Sequence, residues 1–242
     1  MLKKHLKFNL LFLLIFLLYI LADLTHQTTL LYILKPCIAL SLLIWLYIST
    51  RLKGRFHRRI FTGLIFAMAG DVLLMLVWKN ESFFMYGLIA FLICHIFYTR
   101  AFYLDFLSAP ELDKKGARIA ILLCAALSIT YYLFIRAHLG AMKLPVLAYT
   151  IIISIMMMMA AFRNQRVNSL SFKLILAGAV LFVISDGVLA WYKFVDPNLT
   201  LARTVVMATY MAAQYLITLG AVERQLLLKD ERDLKGEGIL KD

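Results

Sequence analysis

Two aspartates interrupt stretches that are otherwise built to sit in hydrocarbon. Asp71 is the one charged residue between Ile60 and Trp78, and Asp186 lies within the apolar run 172–194. A carboxylate at such a place costs roughly 2.5 to 3.5 kcal/mol on insertion scales, so intramembrane acids mark a proton path, a substrate site or a buried pair. The two share a local pattern: a small residue before the acid (Gly70, Ser185) and a leucine three positions on (Leu74, Leu189). Two buried acids beside one ammonium need not share a protonation state, since burial and a neighbouring cation act on them in opposite senses. One protonated and one ionised carboxyl, with a water molecule, make a general acid and a general base. That apparatus suits bonds whose cleavage passes through an oxocarbenium-like cation.

The remaining candidates are polar residues at similar depth. At 1.5 Å per helical residue, Asp71 and Asp186 lie about 10 to 12 Å below the surface opposite the basic loops, and Lys35, beside Pro36, reaches the same level from the other direction. His95, Tyr210 and Gln214 fall at roughly 15 to 21 Å by the same measure. His95 and Tyr98 are spaced i, i+3, and Tyr210 and Gln214 i, i+4, so each pair shares a helix face. Polar groups from five helices thus converge on one outer layer. Each has a plainer reading: Lys35 as the neutralising partner of one aspartate at a helix kink, His95 as a satisfied core histidine, and Tyr98, Tyr210 and Gln214 as interhelical hydrogen bonders.

The elements that would hold these residues follow from hydropathy. The chain has 242 residues, of which 63% are hydrophobic, more apolar surface than a water-soluble domain of this size buries. Apolar periods of about twenty residues give eight transmembrane helices. They are expected near 8–24, 28–50, 60–78, 84–104, 117–136, 144–162, 172–194 and 200–222, forming an all-α polytopic membrane helix bundle in one domain, with 223–242 as a charged, solvated tail. The loops on the side of the termini hold 19 of the 26 lysines and arginines and the opposite loops hold five, which places both N-terminus and C-terminus in the cytoplasm. Removal of the first span would leave that bias unchanged, so a seven-span mature form has the same charge signature. The recurrence of small-Asp-x-x-Leu in the third and seventh spans permits a four-plus-four parallel duplication. The formal net charge of +12 belongs to loops that meet anionic lipid, and no nucleic acid partner is expected. Cys37, Cys94 and Cys124 fall in apolar spans without paired spacing and read as small buried hydrophobes. The short basic N-terminus without a eukaryotic targeting signal suggests a bacterial inner membrane, and the oligomeric state is not legible.

Other intramembrane chemistries find little support. Zinc needs about three converging ligands, and His95 is the only histidine deep in a span, so neither metal nor cofactor is expected. The Tyr-Asp and Gly-x-Gly-Asp pair of intramembrane aspartyl proteases is absent, with Ser185-Asp186 and Gly70-Asp71 in its place, and there is no G-x-S-x-G elbow. The ordered set Lys35-Pro36, Gly70-Asp71-x-x-Leu74, Gly87 through His95-x-x-Tyr98, Phe182-x-x-Ser185-Asp186-x-x-Leu189-Ala190 and Tyr210-x-x-x-Gln214 resembles the YhhN-like lysoplasmalogenase family over about 180 residues. The resemblance implies an eight-helix membrane hydrolase that cleaves the vinyl ether of a lysoplasmalogen, with a lysophospholipid substrate, membrane lipid and water as its partners. Asp71 and Asp186 would be catalytic, and Lys35, His95, Tyr98, Ser185, Tyr210 and Gln214 would support them. The alternatives are a proton-coupled transporter of a small amphiphile, in which the same acids carry protons, and a lipid-binding scaffold that requires only the pocket.

Overall fold

The computed structural model describes residues 5–227, and these form a bundle of eight long helices: α1 (Leu6–Leu24), α2 (Thr28–Thr50), α3 (Gly54–Met75), α4 (Ser82–Leu107), α5 (Lys114–Ile135), α6 (Lys143–Ala161), α7 (Ser169–Phe194) and α8 (Ala202–Val222). Two short 3-10 turns, Arg136–His138 and Gly140–Met142, join α5 to α6. Among the described residues the only β pairing is one isolated bridge between Val167 and Leu226. Seven of the eight helices are long and apolar enough to cross a membrane, and the protein is an integral membrane protein. The exception, α3, starts at Gly54 and not near Ile60. Its first two turns carry Arg55, His57, Arg58 and Arg59, residues that loop counting assigns to a connection.

Chain direction alternates, so the termini meet at one end: the His5 ring is 2.6 Å from the Glu223 carboxylate. The most extensive helix pairs are α3 with α4 and α7 with α8. Both are antiparallel hairpins that close over glycine. A Cβ at Gly70 would stand 2.7 Å from the Phe91 ring, and one at Gly178 would stand 2.9 Å from the Ala213 carbonyl, so only hydrogen fits at either contact. By contrast α5 packs mainly on α6 and is little buried. Its exposed Leu122, Ile129 and Leu133 form a surface suited to lipid.

At the end where the termini meet, a buried ion network ties the helices together. The Asp105 carboxylate near the end of α4 is fully buried and takes Arg163 Nε on Oδ2 at 2.7 Å and Arg224 Nε on Oδ1 at 2.8 Å. Arg163 also donates to Ser171 Oγ at 2.8 Å, and Phe56 lies beneath both guanidinium groups. Burial pushes the Arg163 pKa below its ordinary value, and the adjacent Asp105 carboxylate opposes that shift. Arg166, also buried, donates to the carbonyls of Phe162, Ala109, Pro110 and Leu112. These arginines, counted from sequence as solvated topology signals, are structural. The expected tail therefore begins later than Glu223: Arg224 is anchored on Asp105, and Gln225 exchanges hydrogen bonds with Asn168. The rest of that tail, 228–242, lies outside the described residues.

Candidate active site

Asp71 sits one turn before the end of α3, at the end of the bundle opposite the termini. Its residue is 2% exposed, and both carboxylate oxygens meet donors: Lys35 Nζ lies 3.3 Å from Oδ1, and the Tyr210 hydroxyl donates to Oδ2 at 2.6 Å. The lysine comes from α2 directly before Pro36, which has no N–H to offer the carbonyl one turn back. The tyrosine comes from α8. A buried carboxylate matched by a cation and a phenol meets the requirement that a charge taken from water be paired and hydrogen-bonded.

Asp186 on α7 has a different set of neighbours. Tyr149 of α6 donates its hydroxyl to Oδ2 at 2.6 Å, and His95 Nε2 of α4 lies 3.3 Å from the same oxygen and 2.9 Å from the Tyr149 hydroxyl. Oδ1 takes no hydrogen bond from the described residues. The His95 ring is fully buried between Phe182 and Tyr149, and its Nδ1 has no partner among the described residues. Tyr149 is a site residue that sequence reasoning missed. A lone tyrosine in an apolar span gives no periodic signal, and only the approach of α6 to α7 gives it a role.

Both carboxyl groups line one cavity of about 480 Å³, together with Lys35, Tyr210 and Ser185. At its outer rim stand Lys193 and Arg203; Lys193 lies over the Phe84 ring, and Arg203 pairs at 3.3 Å with Asp23, whose other oxygen accepts from Thr204. Asp23 escapes notice in the sequence because it falls at the margin of the first apolar run. Ser185 turns its hydroxyl to the Val206 carbonyl at 2.9 Å and so fastens α7 to α8 beside Asp186. Tyr98 and Gln214 are placed differently: Tyr98 donates to Gln214 Oε1 at 2.6 Å in the packed interior, and neither lines the cavity. Among the described residues no three His, Cys, Asp or Glu side chains come together as a metal site.

The two acids are related by position. Asp71, on the third helix of the first four, meets the second helix of its own half (Lys35, α2) and the fourth of the other (Tyr210, α8). Asp186, on the third helix of the second four, meets the second helix of its own half (Tyr149, α6) and the fourth of the other (His95, α4). His95 follows Asp71 by 24 residues, and Tyr210 follows Asp186 by the same 24.

A helical membrane bundle with paired carboxyl groups in a cavity near one surface is the class that fold and site define. The chain belongs to the YhhN family, which it matches over residues 30–221. It is 36% identical over 190 residues to lysoplasmalogenase TMEM86B of Rattus norvegicus, covering 78% of this chain and 70% of that protein. It is 41% identical over 162 residues to lysoplasmalogenase TMEM86B of Mus musculus, covering 66% of this chain and 62% of that protein. With lysoplasmalogenase TMEM86A of Homo sapiens it shares 33% identity over 171 residues, 68% of this chain and 65% of that protein. No solved structure matches the chain.

Proposed function

We infer that the protein is an intramembrane hydrolase that cleaves the vinyl ether bond of lysoplasmalogens, releasing a fatty aldehyde and glycerophosphoethanolamine or glycerophosphocholine. The observation that carries this reading is the shared cavity, lined by two carboxyl groups with different partners, a lysine and a phenol on one and a phenol and an imidazole on the other. The relatives' name, lysoplasmalogenase, supports the same substrate class.

A vinyl ether is labile to acid because protonation of its outer alkene carbon gives an oxocarbenium ion. Asp186, whose Oδ1 is free of protein donors, serves as the acid that delivers a proton to that carbon. Asp71, with a lysine on one oxygen and a phenol on the other, is the anion that faces the developing cation. Water attacks the cationic carbon and gives its proton to Asp71, leaving a hemiacetal. Collapse returns the hemiacetal hydroxyl proton to Asp186, while Asp71 protonates the departing glycerol oxygen, so both acids regain their starting state. Lys35 offsets part of the cost of burying a negative Asp71, and Tyr149 with His95 fixes the orientation of the Asp186 carboxyl.

The test is incubation of the purified protein with a lysoplasmalogen and measurement of the aldehyde formed. Release by the native chain, and its loss in both Asp71→Asn and Asp186→Asn, is expected. Undiminished release from either variant overturns the mechanism. Accumulation of the intact lipid in vesicles without any aldehyde would assign the acids to a carrier.

A further inference from the structure

A second, larger cavity of about 860 Å³ lies among α5, α6 and α7, and the assigned chemistry does not use it. Its wall is almost wholly apolar, with Leu123, Leu127, Ile153 and Leu176 among its lining residues. Its volume is within the range of roughly 300 to 1,000 Å³ that holds a small molecule. Five residues, Leu74, Phe84, Phe91, Asp186 and Leu189, line this cavity and the polar one alike, so the two spaces adjoin at Asp186. One flank is the loosely held α5, whose helix packs on α6 and leaves the side towards α7 thinly covered.

We propose that this cavity is the binding site for the hydrocarbon chain of the substrate, reached from the bilayer between α5 and α7, with the head group held in the polar cavity on the other side of Asp186. This rests on the hydrolase reading for the identity of the lipid, while the chain site itself is a matter of binding. The dimensions suit it. Along α5 the lining runs from Gly116 to Ile135, about 28 Å at helical rise, which exceeds the ~15 Å hydrocarbon depth of one leaflet. Tyr131 holds the upper end by donating to the Gly187 carbonyl at 2.5 Å, next to Asp186. A lysophospholipid has one chain and one anionic head, joined where the ether bond lies. Among the described residues an apolar space and a space bearing Lys35, Lys193 and Arg203 meet at a carboxyl group. Superposing the two sets the polarity of binding: phosphate towards Lys193 and Arg203, bond at Asp186, chain directed towards Gly116.

A photoreactive lysophospholipid carrying a diazirine near the end of a saturated ether-linked chain tests placement without any need for turnover. Labelling of the native protein on α5 and α6 peptides, around Leu123 and Ile153, is expected; labelling confined to α1 and α2 overturns the proposal. The functional arm uses Ala120→Phe, deep in the cavity on the little-buried α5, against a series of lysoplasmalogens of increasing chain length. Hydrolysis of the longest chains should fall on the order of tenfold or more, while the shortest are processed as by the native enzyme. An equal fall at every length, or none at any, counts against the chain site. Leu176→Phe on α7 repeats the measurement from the opposite wall should the first variant fold poorly. Labelling on α5 and α6 without aldehyde from any substrate would retain the lipid site and refute the hydrolase reading, whereas aldehyde release with labels elsewhere would do the reverse.

Discussion

The two halves of the bundle place an aspartate at matching positions and then surround it differently. In α1–α4 the acid is Asp71, closed off from solvent and met by a cation. In α5–α8 the acid is Asp186, its side chain 17% exposed, met by a phenol and an imidazole, and bordering both cavities. The lesson is that matching placements can be given unlike partners: a lysine from the second helix of one half, a tyrosine from the second helix of the other. Equal environments would leave both acids in the same protonation state and neither suited to complement the other.

The sharpest way to break the comparison is to neutralise each acid in turn. Asp71→Asn and Asp186→Asn should each cost on the order of 10² to 10⁴ in aldehyde release, the usual worth of a positioned proton-transfer group. Thermal unfolding in detergent should then separate them. Asp71→Asn strands the Lys35 ammonium and should lower stability by about 3 to 5 kcal/mol. Asp186→Asn leaves no cation alone and should unfold near the native temperature. The double variant Lys35→Met/Asp71→Asn should recover much of that stability, since a buried pair replaced by apolar volume is often neutral, and should remain inactive. Next in size are the phenols. Tyr149→Phe and Tyr210→Phe each remove a hydrogen bond to a carboxyl group worth about 1.5 to 3 kcal/mol if that group is charged. On the proposed mechanism the effect on kcat should be greater for Tyr210, whose partner is the base, and smaller for Tyr149, whose partner is the acid. The smallest effect is expected at Tyr98→Phe, which leaves Gln214 Oε1 without its partner and lowers stability by about 1 to 3 kcal/mol. Activity per folded molecule should be unchanged, because neither residue touches the cavity. A fall in kcat there would return Tyr98 and Gln214 to the site.

Much of this was legible in the sequence because hydrocarbon makes exceptions visible. A lone acid in an apolar run stands out, and Asp71, Asp186 and Lys35 were found at one level by counting helical rise from the span ends. Periodicity then assigned residues to faces, but it could not say which helix each face meets. His95 and Tyr98 share a face by spacing, yet one reaches Asp186 and the other Gln214. Tyr149 carried no signal at all. Charge counting puts Arg163 and Arg166 in the right connection but does not report their burial, in which they are held by Asp105 and by loop carbonyls. In α3 the basic residues of the expected loop belong to the helix, which therefore starts at Gly54, earlier than its apolar run. The chain-sized space beside α5 depends on a neighbour that is loosely packed, and no pattern within one helix reports that.

The Asp105 network fixes one pole of the molecule. It fastens the foot of α4 to the α6–α7 turn and to the residues just past α8, as tongs are joined at the handle, and Asp71 and Asp186 stand towards the jaws.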